Sequence, residues 1–144
     1  EVIIIGRGKL HKKLSEYILK NNLNQFIKII DFVDNPFPLL KQAELFILSS
    51  RYEGLPNVLL EALTLKKFII SSRCPTGPQE ILLNGKGGLL FDVGNHNQLA
   101  NKIIYYKKNK KKCLLMLKHA RKKLNRFDYQ TNLKKYLNLV NQIS

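Results

Sequence analysis

Leu45-Phe46-Ile47-Leu48-Ser49-Ser50-Arg51-Tyr52-Glu53-Gly54-Leu55-Pro56-Asn57-Val58-Leu59-Leu60-Glu61-Ala62 reads as a buried strand, a polar loop and a helix in one run. Four apolar residues end at two serines, and the loop that follows carries an arginine and a glutamate. Gly54 lets the backbone approach a ligand closely. Pro56 presets φ at the helix entrance, and Asn57 is placed to cap. The exposed amides of Leu55 to Leu59, with the positive end of the helix dipole, suit a diphosphate. Glu61 lies one turn inside the helix, where its carboxylate can accept hydrogen bonds from ribose hydroxyls. The plain alternative is that Glu53 and Glu61 merely complement a helix N-terminus, at ~0.3–1 kcal/mol each.

Working outward, strand-like and helix-like segments alternate over the first two-thirds of the chain. Strands are expected at Val2–Ile5, Ile27–Ile30, Leu45–Leu48, Phe68–Ile70 and Gly88–Phe91. Helices are expected at Leu10–Leu19, with Leu10, Leu14, Tyr17 and Ile18 on one face, near Leu39–Ala43 after an Asp34-Asn35-Pro36 turn, at Asn57–Leu65 and at Pro78–Leu83. Short apolar strands separated by helices imply an α/β fold with a Rossmann-like parallel sheet covered on both faces. From about Asn97 the strand signals stop, and three apolar helical faces make a C-terminal helical tail over 97–144. The expected organisation is one domain, 1–144. Its opening Glu1-Val2-Ile3-Ile4-Ile5 reads as the inside of a domain, a strand without the element that should precede it.

Composition narrows the function. The chain has 144 residues and a formal net charge of +15. Residues 1–93 carry 12 Lys/Arg against 9 Asp/Glu, whereas residues 94–144 carry 13 against Asp128 alone. Such asymmetry suggests an anionic partner, either an acidic membrane leaflet or nucleic acid; lysine as low-cost surface filler accounts for it equally well. No apolar run approaches the ~20 residues needed to span a bilayer. Cys74 and Cys113 have no metal spacing and suggest a reduced, cytoplasmic protein, and His11, His96 and His119 are scattered, so no metal site is expected.

The central run resembles the E-x7-E motif of retaining, family 4 glycosyltransferases with the GT-B fold (glycosyl transferases group 1), in their C-terminal donor-binding domain. The likeness is co-linear along the chain. Ile3-Ile4-Ile5-Gly6-Arg7-Gly8-Lys9-Leu10 resembles that family's strand and glycine turn, and Ile30-Asp31-Phe32-Val33-Asp34-Asn35-Pro36 its base loop. Cys74-Pro75-Thr76-Gly77-Pro78-Gln79-Glu80-Ile81-Leu82, Gly85-Lys86-Gly87-Gly88-Leu89-Leu90-Phe91 and Asn125-Arg126-Phe127-Asp128 follow in order.

The resemblance implies that the chain is one half of a GT-B fold, with an N-terminal acceptor domain absent from it. It implies a catalytic Glu53 beside the donor sugar, Glu61 on the ribose, the turn Gly54, Leu55, Pro56, Asn57, Val58 and Leu59 around the diphosphate, and the backbone of Phe32 and Val33 at the base. The donor would be a nucleotide sugar, UDP-linked rather than GDP-linked, used without a metal or other cofactor. The acceptor would be a glycan or lipid-linked glycan in surface polysaccharide or glycoconjugate synthesis. Two other readings remain: a non-catalytic nucleotide-sugar-binding module, and a basic nucleic-acid-binding α/β protein.

Several further residues invite roles. Arg7 and Lys12 have the spacing of the family's basic donor pair, but a glycine turn before the base loop is the next element along, so a solvated helix start is preferred. Gly6 and Gly8 make half a dinucleotide fingerprint without its third glycine. Glu80 either stands beside the sugar or is an ordinary first-turn acid, and Arg51 either approaches phosphate or is a surface arginine. Lys107-Lys108-Asn109-Lys110-Lys111-Lys112 and Lys118, Arg121, Lys122 and Lys123 suit a peripheral protein on the inner face of a membrane. No nucleic acid is expected, because no aromatic-interleaved platform accompanies the charge. Leu114, Leu115, Leu117 and Leu124 are expected to pack on the domain.

Overall fold

The computed structural model describes residues 1–143 and divides the chain into two compact units, 1–39 and 40–144. In the first unit, strands β1 (Val2–Ile5) and β2 (Ile27–Ile30) pair in parallel with Val2 opposite Ile27, and helix α1 (His11–Lys20) connects them. Helix α1 begins at His11, so Leu10 falls outside it and is 71% exposed. Tyr17 is also exposed, and Ile18, four residues after Leu14, is the buried anchor of the helix. The expected four-residue face is therefore narrower, because the helix starts one residue later than its apolar pattern does. Val2, Ile3 and Ile5 remain 48%, 44% and 41% exposed, although their β-branched side chains read as a strand buried on both faces.

Helix α2 (Phe37–Gln42) follows an Asx turn in which the Asn35 Oδ1 accepts the Phe37 amide at 3.1 Å. The second unit then builds a three-stranded parallel sheet in the order β3 (Leu45–Leu48), β4 (Phe68–Ser72), β5 (Leu89–Phe91). Leu45 pairs with Phe68 and Ile70 with Leu89. The five expected strands all form; β4 runs two residues further than its apolar pattern, through Ser71 and Ser72. Both serines are fully buried, and a polar pair inside the sheet hides the strand from a hydrophobicity reading.

Strand β4 is buried at every position and centres the core. Helix α3 (Asn57–Thr64) brings Leu59, Ala62 and Leu63 against it, and α6 (Lys110–Arg121) brings Cys113, Leu117 and Ala120. Each fully buried Leu or Ile contributes ~1.5–3 kcal/mol of transfer free energy. Helix α5 (His96–Lys108) is capped by Asn95, whose Oδ1 accepts the Gln98 amide, and it stacks Tyr106 on Phe68 with ring centroids 5.1 Å apart. Gly87 marks a close approach: a Cβ there would lie 2.7 Å from that of Ala120. The short helix α4 (Pro78–Ile81) runs into a 3-10 turn, Leu83–Gly85, and helix α7 (Tyr129–Ile143) closes the chain.

The helical tail departs from its expected packing at one place. Leu117 is 5% exposed and Leu124 packs partly on the core, but Leu114 and Leu115 are 51% and 65% exposed. Cys113, Leu117 and Ala120 already fill the buried stripe of α6, and residues one and two positions after Cys113 must point away from it. Among the described residues, no helix is long and apolar enough to cross a membrane.

Candidate functional site

Strand β3 ends at Leu48, and the chain crosses Ser49–Pro56 before entering α3 at Asn57. The loop is fixed from the side by the end of β4. The buried Ser72 hydroxyl donates to the Ser50 carbonyl at 2.6 Å. A second loop, leading out of β4, then grips the first. The Thr76 hydroxyl lies 2.6 Å from the Glu53 carbonyl and 3.1 Å from that of Gly54, donating to this pair.

Gly77 sits directly against the loop. Its φ is +64°, and a Cβ there would fall 2.3 Å from the Gly54 carbonyl oxygen and 2.4 Å from the Pro56 Cδ. Thr76 also has a positive φ, 60°. A side-chain-bearing residue in that region is disfavoured by about 1–3 kcal/mol, so tertiary contacts hold the segment in place. The result is two loops locked backbone to backbone at the C-terminal ends of β3 and β4, where open α/β sheets bind their ligands.

Helix α3 opens onto this frame. Pro56 is its N-cap, with φ −72° and ψ 96°, and no side chain caps the helix. Asn57 is thus the first helical residue, not the cap. Pro56 carries no N–H, and the Leu59 amide is taken by the Pro56 carbonyl at 2.9 Å. The Leu59 side chain is fully buried. Of the expected turn Gly54–Leu59, the amides left open are therefore those of Gly54, Leu55, Asn57 and Val58. Proline at the cap position forces the correction: it tightens the first turn and uses up the third amide. Asn57 and Val58, in the first turn, have no intrahelical acceptor for their N–H groups, and the dipole adds positive potential there.

Glu53 is half-buried in the loop, and Glu61 is half-buried in the second turn of α3. No side-chain hydrogen bond or ion pair engages either carboxylate among the described residues. Two carboxylates, free amides and a helix N-terminus thus occur within one nine-residue segment, Glu53–Glu61. Arg51 and Tyr52 are exposed on the same loop. Glu80 is exposed at the start of α4, and its backbone carbonyl accepts the Arg126 guanidinium at 3.0 Å. Arg126 therefore ties the 3-10 turn Leu124–Phe127 back to α4. Within the first unit, Phe32 is 60% exposed and Val33 half-buried. The Arg7 guanidinium lies 5.9 Å from the Phe32 ring centroid, so Arg7 has an aromatic neighbour beyond its place at a helix start.

Ser72 had no functional signal, and Thr76 and Gly77 stood out only as part of a family-like segment and a helix entrance. A Thr-Gly-Pro run reads as a generic turn, and only the close packing of the two loops shows what it does. Cys74 and Cys113 are free and buried, and burial pushes the Cys113 thiol up from its ordinary pKa. No cluster of three or more His, Cys, Asp or Glu residues that could hold a metal occurs among the described residues.

Residues 1–123 match the family described as glycosyl transferases group 1. An uncharacterized glycosyltransferase of Methanocaldococcus jannaschii is 46% identical over 82 residues, 57% of this chain and 20% of that protein. The poly(ribitol-phosphate) alpha-N-acetylglucosaminyltransferase of Staphylococcus aureus is 26% identical over 139 residues, 96% of this chain and 28% of that protein. The crystal structure of TarM superimposes with a TM-score of 0.84 at 25% identity, covering 95% of this chain and 28% of that one. Anabaena HepE, solved with UDP, has the same fold, with a TM-score of 0.85 at 21% identity, covering 97% of this chain and 40% of that one. The chain spans between 20% and 30% of the length of the curated relatives it matches. On the match over residues 1–123, this chain belongs to the glycosyl transferases group 1 family.

Proposed function

We propose that this chain is the C-terminal, donor-binding domain of a two-domain retaining glycosyltransferase that takes a hexose or N-acetylhexosamine from a UDP-sugar. The observation that carries the reading is the open N-terminus of α3 between Glu53 and Glu61, with its approach loop locked by Thr76 and Gly77. The S. aureus TarM structure in complex with UDP, at 25% identity over 95% of this chain, supports the nucleotide. The acceptor domain belongs to the part of such enzymes that this chain does not span.

The amides of Gly54, Leu55, Asn57 and Val58 hold the diphosphate, where the helix dipole favours anions. Glu61 accepts hydrogen bonds from the ribose. Glu53 lies on the sugar side and stabilises positive charge developing at the anomeric carbon. Phe32 and Val33, within their own unit, keep the nucleotide base as proposed ligand. Transfer proceeds without a metal: an oxygen of the donor's own β-phosphate takes the acceptor hydroxyl's proton as the bond from sugar to phosphate breaks. The new glycosidic bond forms on the same face, and UDP leaves with the proton. Arg51 and Glu80 have weaker claims, Arg51 to phosphate and Glu80 to the sugar side.

The proposed acceptor is a glycan or lipid-linked glycan in surface polysaccharide synthesis. Relatives include a Campylobacter jejuni diphospho-undecaprenol N-acetylgalactosaminyltransferase, 29% identical over 99 residues, and an Escherichia coli O-antigen glycosyltransferase, 31% identical over 108. A cytoplasmic position, peripheral to the inner face of the membrane, follows from such acceptors.

Calorimetric titration with UDP tests the reading. Replacing a carboxylate that accepts ribose hydroxyls removes charge-assisted hydrogen bonds of ~1.5–3 kcal/mol, so Glu61→Ala should weaken UDP about 10- to 100-fold. In an enzyme that includes the acceptor domain, Glu53→Ala should keep most UDP binding and lose turnover. A Glu61→Ala variant that binds UDP as tightly as the parent would remove the ribose role.

A further inference from the structure

Helix α6 has two faces. Cys113, Leu117 and Ala120 are buried against the core. At 100° per residue, Lys111, Leu115, Lys118 and Lys122 lie on the opposite side, with Leu114 on its shoulder. Leu114 and Leu115 are 51% and 65% exposed, and all three lysines are exposed. An isolated exposed leucine is ordinary; two adjoining leucines set in a fork of lysines form an amphipathic surface.

The sequence around α6 carries one sign. No Asp or Glu occurs between Gly94 and Phe127, whereas Lys102, Lys107, Lys108, Lys110, Lys111, Lys112, Lys118, Arg121, Lys122, Lys123 and Arg126 do. Lys110 is neutralised by Glu44 at 2.5 Å, and Lys112 lies over the Tyr105 ring at 6.0 Å. Among the described residues, Lys111, Lys118 and Lys122 have no acidic partner.

We infer that the outward face of α6 is a docking surface for an anionic lipid bilayer, with Leu114 and Leu115 entering the headgroup–acyl boundary and Lys111, Lys118 and Lys122 reaching phosphates around them. The stems of the lysines lie along apolar surface while their ammonium groups stay in the headgroup layer, and apolar area and charge act together in such helices. A nucleic-acid backbone would use the lysines but give two exposed leucines no apolar contact, and α6 offers no Phe, Tyr or Trp for base stacking. The inference specifies the membrane side of the proposed function and rests on that reading for its biological place, but its physical test is independent of UDP.

The test is co-sedimentation of the protein with vesicles of phosphatidylcholine alone, and of phosphatidylcholine mixed with phosphatidylglycerol. Two variants accompany the parent: Leu114→Gln with Leu115→Gln, and Lys111→Gln with Lys118→Gln and Lys122→Gln. The changed positions are exposed and Gln is a good helix former, and an unchanged thermal midpoint verifies that each variant is folded. The parent should bind the anionic vesicles and not the neutral ones. Removing three lysines, at about 1 kcal/mol each, should weaken binding on the order of 100-fold, and removing both leucines by about tenfold. Absence of binding to anionic vesicles, equal binding to neutral ones, or binding that both variants keep would overturn the inference. So would a protein that binds an RNA or DNA duplex through these lysines and leaves the vesicles untouched. UDP titrated in parallel separates the two readings: vesicle binding weakened in the variants at unchanged UDP affinity supports the α6 surface independently of the donor site, and a parent that binds UDP but no anionic vesicles overturns the α6 surface alone.

Discussion

At Gly77 two demands meet: the backbone needs φ +64°, and the space for a Cβ is already filled by the Gly54 carbonyl and the Pro56 ring. Gly77→Ala should therefore strain the backbone by about 1–3 kcal/mol and push the Glu53–Pro56 loop outward. A lowered thermal midpoint together with weakened UDP binding is expected. Unchanged UDP affinity at a lowered midpoint would mean that the lock serves stability alone. Thr76→Val separates the hydroxyl from the backbone conformation. It removes the hydrogen bonds to the Glu53 and Gly54 carbonyls at a net cost of ~0.5–1.5 kcal/mol, and its effect should be smaller and of the same kind. Glu53, Gly54 and Glu61 were legible in the sequence because their spacing and the proline–asparagine pair between them form one local pattern. Thr76, Gly77 and Ser72 were not, because each acts on residues about twenty positions earlier, and a turn sequence does not say what it turns against.

Elements were read with differing success for physical reasons. Strands β1 and β3 matched their expected bounds because each is an unbroken apolar run, and β2 matched because its three isoleucines outweigh the exposed Lys28. Strand β4 extended past its pattern because Ser71 and Ser72 continue the ladder while buried. The cap of α3 was misplaced by one residue, because a Pro-Asn pair offers both a preset φ and a capping side chain, and the proline took the N-cap position. Core packing around β4 predicts that Leu59→Ala, at a fully buried position, costs about 2–5 kcal/mol, read as a lower midpoint in denaturant. Helix α7 depends on charge at its start. The Asp128 Oδ1 accepts the Thr131 amide and hydroxyl, both at 2.8 Å. The Thr131 amide, first, and then its hydroxyl hold the Asp128 carboxyl below its ordinary pKa. A depressed folded-state pKa means that this stabilisation is full above the unfolded-state value and is lost as pH falls through the folded one. Far-UV circular dichroism should show α7 fraying as pH drops below the ordinary aspartate range, and Asp128→Asn, which keeps an acceptor without the charge, should flatten that dependence.

Across the whole chain, charge and site are separated in sequence. The residues that converge on the start of α3 lie before Ile81, and 12 of the 15 excess positive charges lie after Gly94. The charge asymmetry was plain from composition, but which leucines face outward was not, because α6 carries apolar residues on both sides and only packing against β4 decides between them. The proposed donor site and the proposed membrane surface lie on different elements, so substitutions on α6 should leave UDP affinity unchanged. The proposed seat of the nucleotide diphosphate is the open first turn of α3. Amide chemical-shift mapping during a UDP titration tests it most directly. The largest perturbations should fall on Gly54, Leu55, Asn57 and Val58, with the Glu61 region following; saturating UDP that leaves those amides unmoved, or moves a different set, would contradict it.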